Sequence, residues 1–218
     1  MAGRVLRAQQ VERNRQGLLA AAKRVFIRKG YLGSTLDAIA EEAGFSKGVI
    51  YSQFGSKADL FFALLERRIE ERAERNEQIA TVGDGRRAVA ELIRAASRNE
   101  RAERGWARLL IEFRATAMRD PSLTTRYSDL HERTLRALTN TLARTFRATR
   151  THSEIPLRTL AEFILAVDSG LTLERAVNLR ALPERDFVIL VPKALGLGAA
   201  PRRAVKPAHG GLSRNHPR

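Results

Sequence analysis

The sequence predicts an all-α protein: a small N-terminal three-helix head containing a helix-turn-helix, followed by a larger helical domain. Three observations carry this prediction. No segment of the 218 residues alternates apolar and polar side chains at the period of two that a half-buried strand requires. Apolar residues recur instead three and four apart in long runs. The breaks between runs hold Gly or Pro, which end helices, or Ser, Thr and Asp, which start them.

Residues 1–10 read as a basic, aperiodic arm. The first helix runs from about Val11 to Lys29, with Leu18, Leu19, Ala22, Val25 and Phe26 along its apolar stripe, and Gly30 ends it. Residues 34–54, STLDAIAEEAGFSKGVIYSQF, then read as two short helices joined by a tight turn. Ser34 can cap the first, with Asp37 completing a capping box. Leu36, Ile39, Ala40 and Ala43 share one face. Gly44 follows where a helix end needs a left-handed residue. Phe45 fills the corner, and Ser46 can cap a second helix running from Lys47 to about Tyr51. Val49 and Ile50 hold that helix to the first, leaving Lys47, Gly48, Ser52 and Gln53 on a small, polar and basic surface suited to DNA. The same pattern also describes an ordinary αα-corner, and the flanking sequence decides between them.

Ser56-Lys57-Ala58-Asp59 forms a second capping box, opening a helix whose buried side is Leu60, Phe61, Leu64 and Leu65. Beyond Glu66 it becomes ERRIEERAERNEQ, read as an exposed strut with only Ile69 and Ala73 facing inward. The break TVGDG, residues 81–85, marks a domain boundary. Helices follow at 86–99, 105–119, 121–147 and 156–179, with Asp120-Pro121 ending one and starting the next. Pro183 separates a last helix, 184–195. The division is thus a basic arm 1–10, a DNA-binding head 11–80, a helical domain 81–197, and a basic tail 198–218 too rich in Gly, Pro and Arg to pack.

Net charge is +15 with a pI near 11.3, which favours a polyanionic partner. The charge is uneven: residues 1–57 hold ten Lys or Arg against four acids, and residues 193–218 hold six against none. There is no cysteine, so thiol and disulfide chemistry are excluded. No apolar run approaches the length of a membrane span, and the N-terminal residues lack the apolar segment of a signal peptide, so a cytoplasmic protein is expected.

F26-I-R-K-G-Y31, T35-L-D-A-I-A-E-E-A-G44, F45-S-K-G-V-I-Y51 and F54-G-S-K-A-D-L60 together resemble the tetracycline-repressor (TetR) family of bacterial transcription regulators. The segment WARLLIEFRATAMRDPSL looks like that family's sixth-to-seventh helix junction. The resemblance implies a homodimer whose heads enter successive major grooves of a palindromic operator. It implies a larger domain holding a small-molecule pocket and a dimer face made by the last two long helices. It further implies repression relieved when an effector moves the fourth helix.

Local chemistry names candidate residues. Ser34 and Thr35 stand at a helix start, where a hydroxyl and backbone N–H groups can meet a phosphate. Ser46, Lys47 and Gly48 lie in the first turn of the second helix of the helix-turn-helix, where the backbone can come close to a groove. Tyr51 and Lys57 resemble the family tyrosine and lysine that reach the DNA backbone, with packing as the alternative for Tyr51. Ser52 and Gln53 depart from the family pattern; Gln53 can bond to adenine, or equally to phosphate or water. Arg4, Arg7 and Arg13 of the arm, like the tail, add nonspecific attraction or reach a neighbouring groove. The pocket candidates are Trp106, Leu110, Phe113, Tyr127, Leu130 and His131, with Arg114 and Asp168 as polar anchors, to receive a largely apolar effector. The dimer candidates are Phe163, Val167, Leu171, Phe187, Ile189, Leu190 and Val191.

Other classes fit less well. No metal-ligand spacing surrounds His131 or His152, and no Gly-rich phosphate loop follows a strand, so neither a metal nor a cofactor is expected and an enzyme is disfavoured. A DNA-coating protein explains the charge but not the balanced, core-rich domain from 86 to 196. A helical interaction module explains neither the head nor the charge.

Overall fold

In a computed structural model, residues 2–80, 91–92, 95, 101–148, 150, 152–178, 180–183, 185–186 and 189–190 are described. They form seven helices: α1 (Ala2–Lys29), α2 (Leu36–Ala43), α3 (Lys47–Gln53), α4 (Lys57–Ala80), α5 (Arg101–Ala117), α6 (Pro121–Ala148) and α7 (Leu157–Val177). Among the described residues there is no strand. The boundary at 81–85, most of the helix expected at 86–99, and the tail lie outside them. Residues 185–186 and 189–190, within the expected last helix, are helical.

Helix α1 begins nine residues before the expected Val11. The stretch read as an aperiodic arm contains no Gly after position 3 and no Pro, and its Ala, Leu, Arg and Gln are all good helix formers. Contacts one turn apart support it: Gln10 donates to Asn14 across 2.8 Å, and Arg13 to Gln10 across 3.1 Å.

The helix-turn-helix is capped one residue later than the sequence suggested. Thr35 is the N-cap of α2, its hydroxyl accepting the Ala38 N–H at 3.2 Å. Ser34 is buried, and its hydroxyl donates to the Gly30 carbonyl at 2.5 Å. The expected capping box therefore does not form, and Asp37 is left to pair elsewhere. Gly44 does end α2 in the left-handed region, at φ +71°, with its N–H and that of Phe45 closing the last turn. At the start of α4 the second box is realised: Ser56 donates to the Asp59 carboxylate at 2.7 Å and accepts the Asp59 N–H at 3.1 Å.

The head has no core of its own. One apolar cluster runs from Leu18, Val25 and Phe26 of α1 through Leu36 and Ile39, Ile50, and Leu60 and Phe61, into Trp106, Leu109 and Phe113 of α5 and Leu130 of α6. At its centre Phe61 packs against Phe113 with ring centroids 4.2 Å apart, and Tyr31 and Phe62 meet the same Phe113 edge-on at 5.0 and 5.4 Å. A second cluster joins Leu135, Leu138, Leu142 and Phe146 of α6 to Leu160, Ala161, Ile164 and Leu171 of α7.

The distal half of α4 is exposed at Glu70, Glu71, Glu74, Arg75, Glu77 and Gln78, with Ile69 and Ala73 half-buried as expected, yet it is not free-standing. It lies along α6, with Glu66 accepting from Arg133 at 2.6 Å and Glu77 pairing with Arg144. Its charges are used between helices, which the sequence of α4 alone could not reveal. No described helix is long and apolar enough to cross a membrane.

Candidate nucleic-acid interface and ligand cavity

Helices α2 and α3 are joined by Gly44–Ser46 and present one polar edge. Thr35, Ser46, Lys47, Gly48, Tyr51 and Ser52 are all exposed there. Ser46 is the N-cap of α3, yet its exposed hydroxyl makes no capping bond, and the Val49 N–H closes the first turn on the Ser46 carbonyl at 3.0 Å. The Ser52 hydroxyl is satisfied by its own helix, donating to the Val49 carbonyl at 2.8 Å.

Lys47 and Tyr51 converge on one acid. Lys47 Nζ is bonded to the Asp37 carboxylate, and the Tyr51 hydroxyl lies 3.5 Å from the other Asp37 oxygen. The bond to Asp37 holds the Lys47 ammonium above the usual lysine range. Asp37 escaped notice in the sequence because its capping role looked sufficient.

Three candidates are turned away from this edge. Ser34 is buried, as described. Gln53 donates to the Val11 carbonyl of α1 at 3.1 Å, a partner hidden by starting that helix at Val11. Lys57 reaches back into the head, donating to the carbonyls of Tyr31 at 2.8 Å and Ser34 at 3.0 Å, with its ammonium 4.6 Å from the Tyr31 ring. Burial holds its pKa below the usual range, the Glu112 carboxylate opposing. It ties α4 to the turn that precedes α2.

A cavity of about 700 Å³ lies among α4, α5, α6 and α7. Trp106, Leu110, Arg114, Tyr127, Leu130, His131 and Asp168 all line it. Phe113, one residue from Arg114, does not: it points the other way, fully buried in the aromatic cluster. Inside, Arg114 Nε donates to the Tyr127 hydroxyl at 2.6 Å, and its Nη2 lies 3.5 Å from the Ser169 hydroxyl. Arg72 of α4 reaches Asp168 of α7 at 3.3 Å. Arg68 stacks over Trp106 at 4.7 Å. Arg68 and Arg72 were not anticipated, since arginine is abundant everywhere in this chain.

Of the dimer candidates, Phe163, Ile189 and Leu190 are exposed, at 40, 57 and 55%. Val167 is half-buried, and Leu171 is buried within the α6–α7 cluster and lines the cavity, so it belongs to the subunit's own core. The side chains of Phe187 and Val191 lie outside the described residues. Leu173 and Val177 add exposed apolar surface to α7, at 53 and 88%.

Comparison with known proteins identifies the family. Residues 18–64 match the family described as bacterial regulatory proteins, tetR family, and residues 61–195 match the BetI-type transcriptional repressor C-terminal domain. The repressor AcnR of Corynebacterium efficiens is 29% identical over 159 residues, spanning 72% of this chain and 79% of its own. Among solved structures, FadR of Bacillus subtilis in complex with stearoyl-CoA aligns at a TM-score of 0.62 and 20% identity, over 84% of this chain and 96% of its own. A regulator of Saccharomonospora viridis in complex with choline aligns at 0.63 and 21%, over 82 and 93%. The second matched segment alone spans more than half of the chain, from the start of α4 onward. The chain therefore belongs to the TetR family of transcriptional regulators, all-α proteins with an N-terminal DNA-binding helix-turn-helix, and not to a class of enzymes.

Proposed function

We propose that the protein is a homodimeric repressor that binds a palindromic operator and is released from it by a small effector with a largely apolar body. The observation that carries the DNA-binding half is the exposed edge of Thr35, Ser46, Lys47, Gly48, Tyr51 and Ser52, with the Ser46 hydroxyl uncommitted to capping at the start of α3. Phosphate contacts come from Thr35, Ser46, Lys47 and Tyr51, and base contacts from the first turn of α3 and from Ser52. Ser34, Gln53 and Lys57 serve the head's architecture. That AcnR is a repressor favours repression here.

Release by an effector is supported by the cavity and by its neighbours. The cavity falls within the range of roughly 300–1,000 Å³ typical of small-molecule sites. FadR and the S. viridis regulator, which share the fold, each hold a small molecule. Dimerisation uses the exposed apolar residues Phe163, Leu173, Val177, Ile189 and Leu190.

Selection of bound fragments from genomic DNA tests the reading. A regulator enriches one or a few inverted repeats; uniform coverage would identify a DNA-coating protein instead. Sedimentation of the free chain at micromolar concentration should give a dimer, and a monomer would remove the two-head geometry.

A further inference from the structure

The charge of the cavity wall is out of proportion to the chain. Among the described residues, six arginines line it, Arg68, Arg72, Arg75, Arg108, Arg114 and Arg175, against one carboxylate, that of Asp168. Over the whole chain, 39 basic residues face 24 acidic ones. Arg72 is engaged by Asp168, and Arg175 donates to the Ala181 and Leu182 carbonyls. Among the described residues, Arg114 bonds to neutral groups, the hydroxyls of Tyr127 and Ser169. Those bonds fix its plane while leaving most of its five N–H donors available. The Tyr127 oxygen, already accepting from Arg114, keeps its own proton to donate. Trp106, Leu110, Leu130, Leu138 and Ile164 supply the apolar remainder of the wall.

Resting on the reading of this cavity as the effector site, we propose that the effector is an amphipathic carboxylate. Its acid group is received by the Arg114 guanidinium and the Tyr127 hydroxyl, and its apolar body lies between Trp106 and the α6–α7 leucines. A guanidinium fork matches a carboxylate bidentately, and a site excluded from bulk water strengthens that bond. The arriving carboxylate also competes with Asp168 for Arg72. The Arg72–Asp168 bond spans the cavity from α4 to α7, so its loss unties the helix on which the head is carried. Discrimination against cations is built into the same wall.

Trp106 is the only tryptophan and lines the cavity, so its fluorescence reports occupancy directly. The full chain is titrated with decanoate, decanol and decyltrimethylammonium below their micelle concentrations. Decanoate should bind at least about tenfold more tightly than decanol, as a hydrogen bond between ionised partners is worth that much, and the ammonium more weakly than both. Arg114→Met should remove the preference for decanoate while leaving decanol binding in place, which also shows that the variant is folded. Asp168→Asn should strengthen decanoate binding several-fold. Equal affinity for acid and alcohol, or a preference for the ammonium, would overturn the carboxylate inference while leaving the cavity as an effector site. If none of the three perturbs Trp106, the effector-site reading itself fails, and the inference with it.

Discussion

Glu112 of α5 accepts a hydrogen bond from the backbone N–H of Leu32 at 2.9 Å, joining residues 80 apart in sequence. Leu32 sits in the turn between α1 and α2, two residues before the buried Ser34. Arg114, two positions along the same helix, faces the cavity. One helix thus touches both the cavity wall and the entry to the helix-turn-helix. Glu112→Ala should leave ligand titration of Trp106 nearly unchanged while weakening the ligand's effect on DNA affinity. Measuring operator affinity with and without ligand checks this, and an undiminished response would remove Glu112 from the coupling route.

The same carboxylate makes Gly30 more demanding than Gly44. Both have positive φ, +75° and +71°. A Cβ on Gly30 would collide with the Glu112 carboxylate, whereas one on Gly44 would meet open space. Gly44→Ala should therefore cost only the left-handed backbone strain, roughly 1–2 kcal/mol, and Gly30→Ala more than that. Denaturant midpoints of the two variants decide; equal losses would mean that Glu112 swings aside freely.

Asp37 holds the two cationic or hydroxyl groups expected to meet phosphate. Lys47→Ala should weaken DNA binding and lower the salt slope by about one charge. Asp37→Asn should act oppositely, raising affinity at every salt concentration, since Lys47 no longer leaves a carboxylate to reach a phosphate. A salt titration of both variants tests the pair, and an unchanged slope in Lys47→Ala would exclude Lys47 from the phosphate contacts.

Several carboxylates are more acidic in the folded chain than in an unfolded one. The Ser56 hydroxyl and then the Arg126 guanidinium lower Asp59, Arg24 and Arg28 lower Glu42, and the Ser122 hydroxyl and Leu123 N–H lower Asp120. A depressed folded pKa contributes stability that is present above the unfolded carboxylate pKa of about 4 and is lost as pH falls through the folded value. Thermal stability should therefore hold from pH 7 to about 5 and decline below 4. Ser56→Ala should cost roughly 0.5–2 kcal/mol at neutral pH, and less at pH 3, where the Asp59 carboxylate no longer favours it. A cost independent of pH would contradict the assignment.

What the sequence disclosed follows from what is local. Gly30 and Gly44 end helices because left-handed backbone is a property of the residue itself, and the Ser56–Asp59 box spans only four positions. The errors are non-local. Ser34 and Thr35 can each cap α2, and the choice was made by the Gly30 carbonyl that takes the Ser34 hydroxyl. Lys57 looked like a phosphate ligand until the Tyr31 and Ser34 carbonyls appeared beneath it. Phe113 and Arg114 are adjacent in sequence, yet one closes the head's core and the other opens into the cavity. Helical periodicity could place both inside but not say inside what.

On the proposed function, the α2–α3 edge reads a specific duplex in pairs. This is tested most directly by titrating the full chain against a selected inverted repeat and a shuffled duplex of equal length, with sedimentation giving stoichiometry. An even number of chains should bind each repeat, with a preference over the shuffled duplex of roughly 10³ or more at physiological salt. Equal affinity for the two duplexes, or a single chain per site, would contradict it.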